Sequence, residues 1–304
     1  MADTPPTPNL RRRPGRALVT GATGMLGSVL VPRLLQAGYQ VETAARSGGV
    51  TFKEDLTTPG AASRMIAMAE PDAVIHLAAA TDVDRCEREP HWAYLQNVQA
   101  AQLLAMACAQ AAKPVHLVHI STDHVYDGDG CHAEADVTIR NHYAISKLAG
   151  ELAVLTHPAT TVLRVNFIGR SLRPGRNSFS DWVVASLRSG SEIQVFGDVS
   201  FSPLRMETLA RTISHVMAYP CHGIFNAGAR GAMSKAAVAH FLAQGLRLDA
   251  SGMRTVNLAD RQLPAPRPTG MAMNSTRFEQ AFSLPLPGIE AEMQALVEEY
   301  SSEV

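Results

Sequence analysis

At 304 residues the chain can bury one large core and sits near the length at which a core divides into two lobes. Its 27 Lys and Arg nearly balance 28 Asp and Glu, and the pI is about 6.8. That balance gives no electrostatic footprint for nucleic acid or an anionic membrane, so a small-molecule partner is expected. No apolar run approaches the roughly 18 residues of a membrane helix. Cys86, Cys108, Cys131 and Cys221 are too scattered for a redox pair or a zinc site. Reduced thiols and a cytoplasmic location fit.

Residues 1–15 carry prolines and three consecutive arginines without the apolar stretch of a signal peptide, and read as a disordered tail. Strand and helix signals then alternate, predicting an α/β fold: a Rossmann-type, doubly wound parallel sheet with helices on both faces. The expected order is a strand at 16–20, helix 25–37, strand 39–45, a short strand near 50–52 and helix 61–69. A strand at 73–77, helix 93–112 and strand 115–121 follow. The next elements are a helix around residue 143 and a strand at 161–165. His116 and His119 lie three apart in an alternating strand, so they point to opposite faces and read as strand histidines rather than metal ligands. Beyond 165 the rhythm degrades into a polar stretch at 170–178 and proline clusters at 263–268 and 284–287. Residues 166–304 are therefore expected to form mainly a smaller lobe. The helix at 207–217 and strand at 223–226 predict a return to the first domain around 204–228.

Gly21, Gly24 and Gly27 follow the first strand directly and open a helix, the context in which a glycine loop cradles a dinucleotide. Gly21 would make the tight turn, Gly24 would admit a pyrophosphate, and Gly27 would let helix and sheet close together. Thr23, Met25 and Leu26 belong to the same loop, and the helix N-terminus receives phosphate charge. The second strand ends in Ala44-Ala45-Arg46-Ser47 with no carboxylate. An acid there would hold a ribose 2′-hydroxyl, whereas a cation holds a 2′-phosphate. The expected cofactor is NADPH, with NADH disfavoured.

Tyr143 and Lys147 are four residues apart and share one helix face. An ammonium beside a phenol favours the phenolate, so Lys147 is expected to pull Tyr143 down from its usual value near 10 toward neutrality.

These pieces together resemble the extended short-chain dehydrogenase/reductase superfamily, and within it the dTDP-4-dehydrorhamnose reductase (RmlD-like) family. The segments that carry the resemblance are HLAAATDVD at 76–84, CEREP at 86–90, STDHVYDG at 121–128 and YAISKLAGE at 143–151, with Phe201-Ser202-Pro203 and Arg267-Pro268 later. By that resemblance Thr122 bonds the substrate carbonyl, Tyr143 is the general acid, and Lys147 binds nicotinamide ribose. Leu77, Ala78, Ala79 and Asn97 lie along the cofactor with Ser47, Asp55, Leu56 and Ser121, the last also bracing the strand end. Thr81, Val83, Asp123, His124, Asn166, Phe167 and Phe179 border the sugar, and Arg267 is a candidate for its diphosphate.

Departures from the pattern narrow the implied reaction. Sugar-nucleotide dehydratases of the superfamily show Thr-Asp-Glu at this strand end, and here His124 takes the third place. GDP-fucose synthases place a cysteine after the hydroxyl residue, and here it is Asp123. The resemblance therefore implies reduction of a nucleotide-linked 4-keto-6-deoxy sugar at C4. An NAD-dependent C4 epimerase, or a non-catalytic NADP-binding subunit resembling the methionine adenosyltransferase β subunit, stays open. The loop ends Gly27-Ser28, without the glutamate that helps some members bind a divalent ion, so no metal is expected. Asn166-Phe167 replaces the serine and tryptophan of the rhamnose enzyme, so the sugar can be a different 4-keto-deoxyhexose. A nucleotide-sugar substrate, no nucleic acid, no membrane and an open question of a homodimer complete the expectations.

Overall fold

The computed structural model describes residues 14–302. The expected tail lies outside the described residues except for Pro14 and Gly15. The Gly15 carbonyl already accepts from Gln40 N–H at 3.0 Å, so the sheet begins there.

In chain order the first half comprises β1 (Arg16–Thr20), α1 (Met25–Gln36), β2 (Gln40–Ala45), β3 (Phe52–Lys53), α2 (Ala61–Ala69) and β4 (Ala73–His76). Next come α3 (Val83–Arg88), α4 (Pro90–Tyr94), a π-helical turn (Leu95–Gln99), α5 (Ala100–Ala109), β5 (His116–Thr122), α6 (His142–Val154) and β6 (Thr160–Val165). The expected helix at 93–112 thus starts and stops three residues earlier. Pro90 serves as its first residue because it has no N–H to leave unpaired. The alternating strand pattern ran one residue early at β5, which starts at His116 and ends on Thr122.

The second half holds β7 (Phe167–Ile168), α7 (Phe179–Arg188), β8 (Ile193–Phe196), β9 (Ser200–Phe201), β10 (Leu204–Arg205) and α8 (Met206–Ala218). It continues with β11 (Gly223–Asn226), β12 (Met233–Ser234), α9 (Lys235–Leu246), β13 (Met253–Val256), β14 (Gly270–Met271), α10 (Thr276–Phe282) and α11 (Ile289–Ser301). Seven parallel strands form the main sheet in the order β11-β6-β5-β4-β1-β2-β3. The short strands pair among themselves as β10-β7, β12-β9-β14 and β13-β8.

Each central strand feeds two cores, because successive side chains alternate across the sheet. Val19, Ile75, Val118 and Leu163 meet Leu30 and Leu34 of α1 and Ile213 of α8 on one face. Leu18, Val74, Leu117 and Val162 meet Met65 of α2 and Leu104 of α5 on the other. No helix among the described residues is long and apolar enough to cross a membrane.

An ion pair is buried beneath the strand ends. Arg164 of β6 meets Glu151 of α6 in a two-pronged pair, Nε to Oε1 at 3.0 Å and an Nη to Oε2 at 2.7 Å, both residues almost inaccessible. The Arg164 guanidinium also donates to the Tyr126 hydroxyl at 2.8 Å and the Glu134 carbonyl at 2.7 Å, and Ser121 donates to the Glu151 carboxylate. Removing one partner strands the other as an uncompensated buried charge. Glu151→Ala should lower the unfolding free energy by about 3–5 kcal/mol in urea titration; a loss below about 1 kcal/mol would show that the pair does not brace the fold.

Candidate active site

The glycine loop is shaped by what it must pass. Gly21 has φ +68°, and a Cβ there would lie 2.6 Å from the Ala78 backbone nitrogen. Only glycine lets the chain leave β1 and cross the end of β4. Gly24 is the N-cap of α1 and no side chain caps the helix, which leaves its first-turn N–H groups for a ligand. Gly27 closes the loop differently from expectation. Its missing Cβ would sit 2.5 Å from the Ala22 carbonyl oxygen, so the close approach is between helix and loop rather than helix and sheet.

Thr23, Met25 and Leu26 line the same cleft of about 490 Å³ as the three glycines. Arg46 and Ser47 stand exposed at the end of β2, and the Arg46 guanidinium has only a 3.5 Å contact with the Gln96 amide. Asp55 and Leu56 form the next part of the wall; the Asp55 carboxylate is engaged by the N–H and hydroxyl of Thr57 at 2.9 and 2.8 Å. Leu77, Ala78 and Ala79 extend from β4 along the cleft, with Thr81 and Val83 beyond them. Ser121, Thr122, Asp123 and His124 come from the end of β5, and Asn166 and Phe167 from the end of β6. A larger recess of about 770 Å³ lies at the opposite end of the sheet between α2 and α5. Its walls offer no glycine loop and no hydroxyl beside a phenol, so the smaller cleft is the candidate site.

Tyr143 and Lys147 both reach this cleft from the start of α6, whose N-cap Asn141 accepts from Ala144 N–H at 2.9 Å. Their electrostatics differ from the expectation. Lys147 Nζ donates to the Ile120 carbonyl at 2.8 Å, and burial lowers its pKa to about 8 while Glu151 holds it up. Burial raises the Tyr143 phenol well above 10, opposed by a hydrogen bond with Thr122. Desolvation therefore dominates at Tyr143, and the phenol is protonated at neutral pH. The His124 ring packs edge-on to Tyr143 at 5.4 Å.

Three expected contacts lie outside the cleft wall. Asn97 sits behind it in the π-helical turn, where its amide accepts from Ala80 N–H at 2.7 Å and donates to the Ala80 carbonyl and the Ser146 hydroxyl. The turn carries the Asn97 carbonyl toward α6 so closely that a Cβ on Gly150 would meet it at 2.3 Å. Arg267, the candidate for a diphosphate, is bound instead by Asp84 at 2.8 Å and by the Ala265 carbonyl at 2.9 Å. Phe179 stacks against Phe201 and shields Lys235. Arg176 lines the cleft from the polar run 170–178, which offered no periodicity to mark it. Among the described residues, no group of three His, Cys, Asp or Glu side chains is placed to hold a metal ion.

The profile of the RmlD substrate binding domain family matches residues 15–302. The chain belongs to this family. A dTDP-4-dehydrorhamnose reductase of Mycobacterium tuberculosis is 32% identical over 284 residues, covering 90% of each chain. A probable low-salt glycan biosynthesis reductase of Haloferax volcanii is 30% identical over 296 residues, covering 94% of this chain and 98% of the relative. A dTDP-4-dehydrorhamnose reductase of Bacillus anthracis, solved in complex with NADP, superposes with a TM-score of 0.85 at 24% identity, over 94% of this chain and 99% of the other, and so shares its fold. Membership accounts for the Rossmann-type sheet.

Two buried imidazoles, His76 and His119, and the half-buried His124 surround the cleft wall. Burial holds His76 and His124 down to about 3 and His119 well below its usual value, with Lys147 adding repulsion at His76 and His119. The fold keeps them neutral, so unfolding in acid takes up protons and stability depends on pH. Their contribution is complete above the ordinary value of 6.5 and is lost as pH falls toward 3. Each should cost about 1.4 kcal/mol per pH unit inside that window. Urea unfolding followed from about pH 8 to about pH 5 should show a plateau and then a steep fall below 6.5; a flat profile would mean that the histidines charge without cost.

Proposed function

We propose that this chain is an NADPH-dependent reductase of a nucleotide-linked 4-keto-6-deoxy sugar, like the dTDP-4-dehydrorhamnose reductases among its relatives. The observation that carries the reading is the convergence of Thr122, Tyr143 and Lys147 on the cleft that the glycine loop opens. The cofactor fits the residues present: an uncapped helix start behind Gly24, a loop in which a Cβ at Gly21 would collide, and the lightly held cation Arg46. Gly21–Gly27 would hold the pyrophosphate, and Arg46 with Ser47 the 2′-phosphate.

When bound, NADPH supplies the hydride that adds to the carbonyl carbon. As charge develops on the carbonyl oxygen, the Thr122 hydroxyl donates a hydrogen bond to it and the Tyr143 phenol transfers its proton. Burial keeps that proton on the phenol until an alkoxide arrives to take it. Lys147, anchored to the Ile120 carbonyl, still carries charge at neutral pH and steadies the phenolate left behind. Asp123 and His124 follow Thr122, and His124 stands where dehydratases of the superfamily carry the glutamate. Burial of Asp123, with the half-buried His124 held down to about 3, suits a site that moves one proton.

Tyr143→Phe should leave NADPH binding intact and cut turnover about 100-fold or more, as for loss of a positioned acid; unchanged turnover would remove Tyr143 from the mechanism. Arg46→Ala should weaken NADPH selectively and leave NADH turnover unchanged, whereas equal losses with both cofactors would mark a structural arginine. The reading as a whole is tested by NADPH oxidation with dTDP-, GDP- and CDP-linked 4-keto-6-deoxy sugars, where turnover with one of them is expected. Turnover without added NADPH would point to an epimerase. No turnover, with a stoichiometric enzyme partner in a pull-down, would point to a regulatory subunit.

A further inference from the structure

Arg176 is a cation in the cleft that none of the chemistry above uses. Among the described residues three cations line the cleft, and the other two have tasks: Lys147 donates to the Ile120 carbonyl at 2.8 Å, and Arg46 stands at the end of β2. Arg176 is exposed, and its guanidinium makes no hydrogen bond or ion pair with any described residue. The carboxylates of the cleft are already engaged, Glu54 by Arg64, Asp55 by Thr57 and Asp123 by Asn166. The loop that carries Arg176 is nevertheless pinned. It joins β7 to α7, and Oδ2 of Asp181 closes it by accepting from the backbone N–H of Ser171 at 3.0 Å and of Ser178 at 2.8 Å. The Tyr300 hydroxyl of α11 donates to the other oxygen of Asp181 at 2.7 Å, and within the loop Arg176 N–H donates to the Arg173 carbonyl at 3.2 Å. A clamped loop presents its cation with less ordering left to do on binding.

The strand order tells which anion Arg176 meets. The main sheet runs β11-β6-β5-β4-β1-β2-β3. The glycine loop follows β1 and Arg46 follows β2, both on one side of β5, whereas the loop of Arg176 leaves from β7, directly after β6 on the other side. Thr122 ends β5, between the two. A dinucleotide that reaches from Arg46 across the glycine loop to Thr122 therefore stops short of Arg176, and what lies beyond Thr122 on that side is substrate. Arg267 is already held by Asp84 at 2.8 Å, so it leaves that place to another cation. We propose that Arg176 is a substrate-binding residue whose guanidinium grips the diphosphate of the nucleotide-linked sugar. Its planar fork of five donors matches two phosphate oxygens at once. The inference rests on the reductase reading for the name of its ligand.

The test measures binding of dTDP, GDP and CDP, and of thymidine, guanosine and cytidine, by calorimetry on wild type, Arg176→Gln and Arg176→Lys with NADP+ saturating. One diphosphate should bind wild type about 10-fold or more tightly than its nucleoside. Arg176→Gln should weaken that diphosphate by about 10-fold or more and its nucleoside by less than about 3-fold. Arg176→Lys should recover part of the loss, because it keeps the charge without the fork. NADPH affinity by fluorescence titration should stay at the wild-type value in both variants; a parallel loss would give the arginine to the cofactor and overturn the inference. A wild type that binds no diphosphate more tightly than its nucleoside, or an Arg176→Gln variant that binds it as wild type does, would overturn it too. Turnover separates the inference from the reading beneath it. A diphosphate affinity that depends on Arg176, without reduction of any keto sugar, keeps the inference and removes the reductase reading, whereas turnover with an affinity indifferent to Arg176 does the reverse.

Discussion

The buried Arg164–Glu151 pair fixes the geometry on which the site depends. Glu151 lies on α6 at four and eight residues from Lys147 and Tyr143, so one helix face carries all three. Holding Glu151 against β6 sets both the rotation of α6 and its depth against the sheet. Ser121 bonds the same carboxylate, which ties the last residues of β5 to the helix and brings Thr122 to the phenol. Arg164 reaches further through Tyr126, whose hydroxyl donates to the Asn226 side chain at 2.6 Å at the end of β11. Three strands and α6 are thus referred to one ion pair. A hydrophobic replacement of similar volume could match its stability, but it would carry no such directional ties.

Desolvation is the second consequence of this packing, and it acts on each titrating group in the direction of its neutral form. The phenol rises, the lysine falls to about 8, and the imidazoles stay uncharged. Asp123 is pushed up to about 6, with Asn166 and Lys235 working against the rise. On the reductase reading, a site arranged this way holds its proton on Tyr143 before the reaction. Electrostatic stabilisation of the developing alkoxide is correspondingly strong in such surroundings.

Much of the first half was legible in sequence because its elements are long and obey strong periodicities. β1 and α2 occupy the residues the pattern predicts, as β11 does later in the chain, and the glycine loop and Arg46 fall on the cleft. The expected Lys147 effect on Tyr143 failed for a reason spacing cannot express. Helical neighbours share a face, but whether two side chains interact depends on the acceptors around them, and the Ile120 carbonyl claims the ammonium. Asn97 was placed on the cofactor, and the structure shows it bracing Ala80 and Ser146 instead, because the π-helical turn rotates it away from the wall. Arg267 looked free beside its prolines until Asp84, 183 residues away in sequence, was brought to it.

The chain beyond β6 was the least legible, and its physics explains that opacity. Its strands are mostly two residues long, paired in small sheets, and too short to show an alternation of period two. Short elements derive their positions from tertiary contacts, such as the cation held between Phe179 and Phe201, rather than from local pattern. Thr122, Tyr143 and Lys147 are held by a long strand and a braced helix, whereas Phe167 sits on one of these short segments. On the reductase reading, Phe167 would therefore meet the sugar from the part of the chain where sequence periodicity says least.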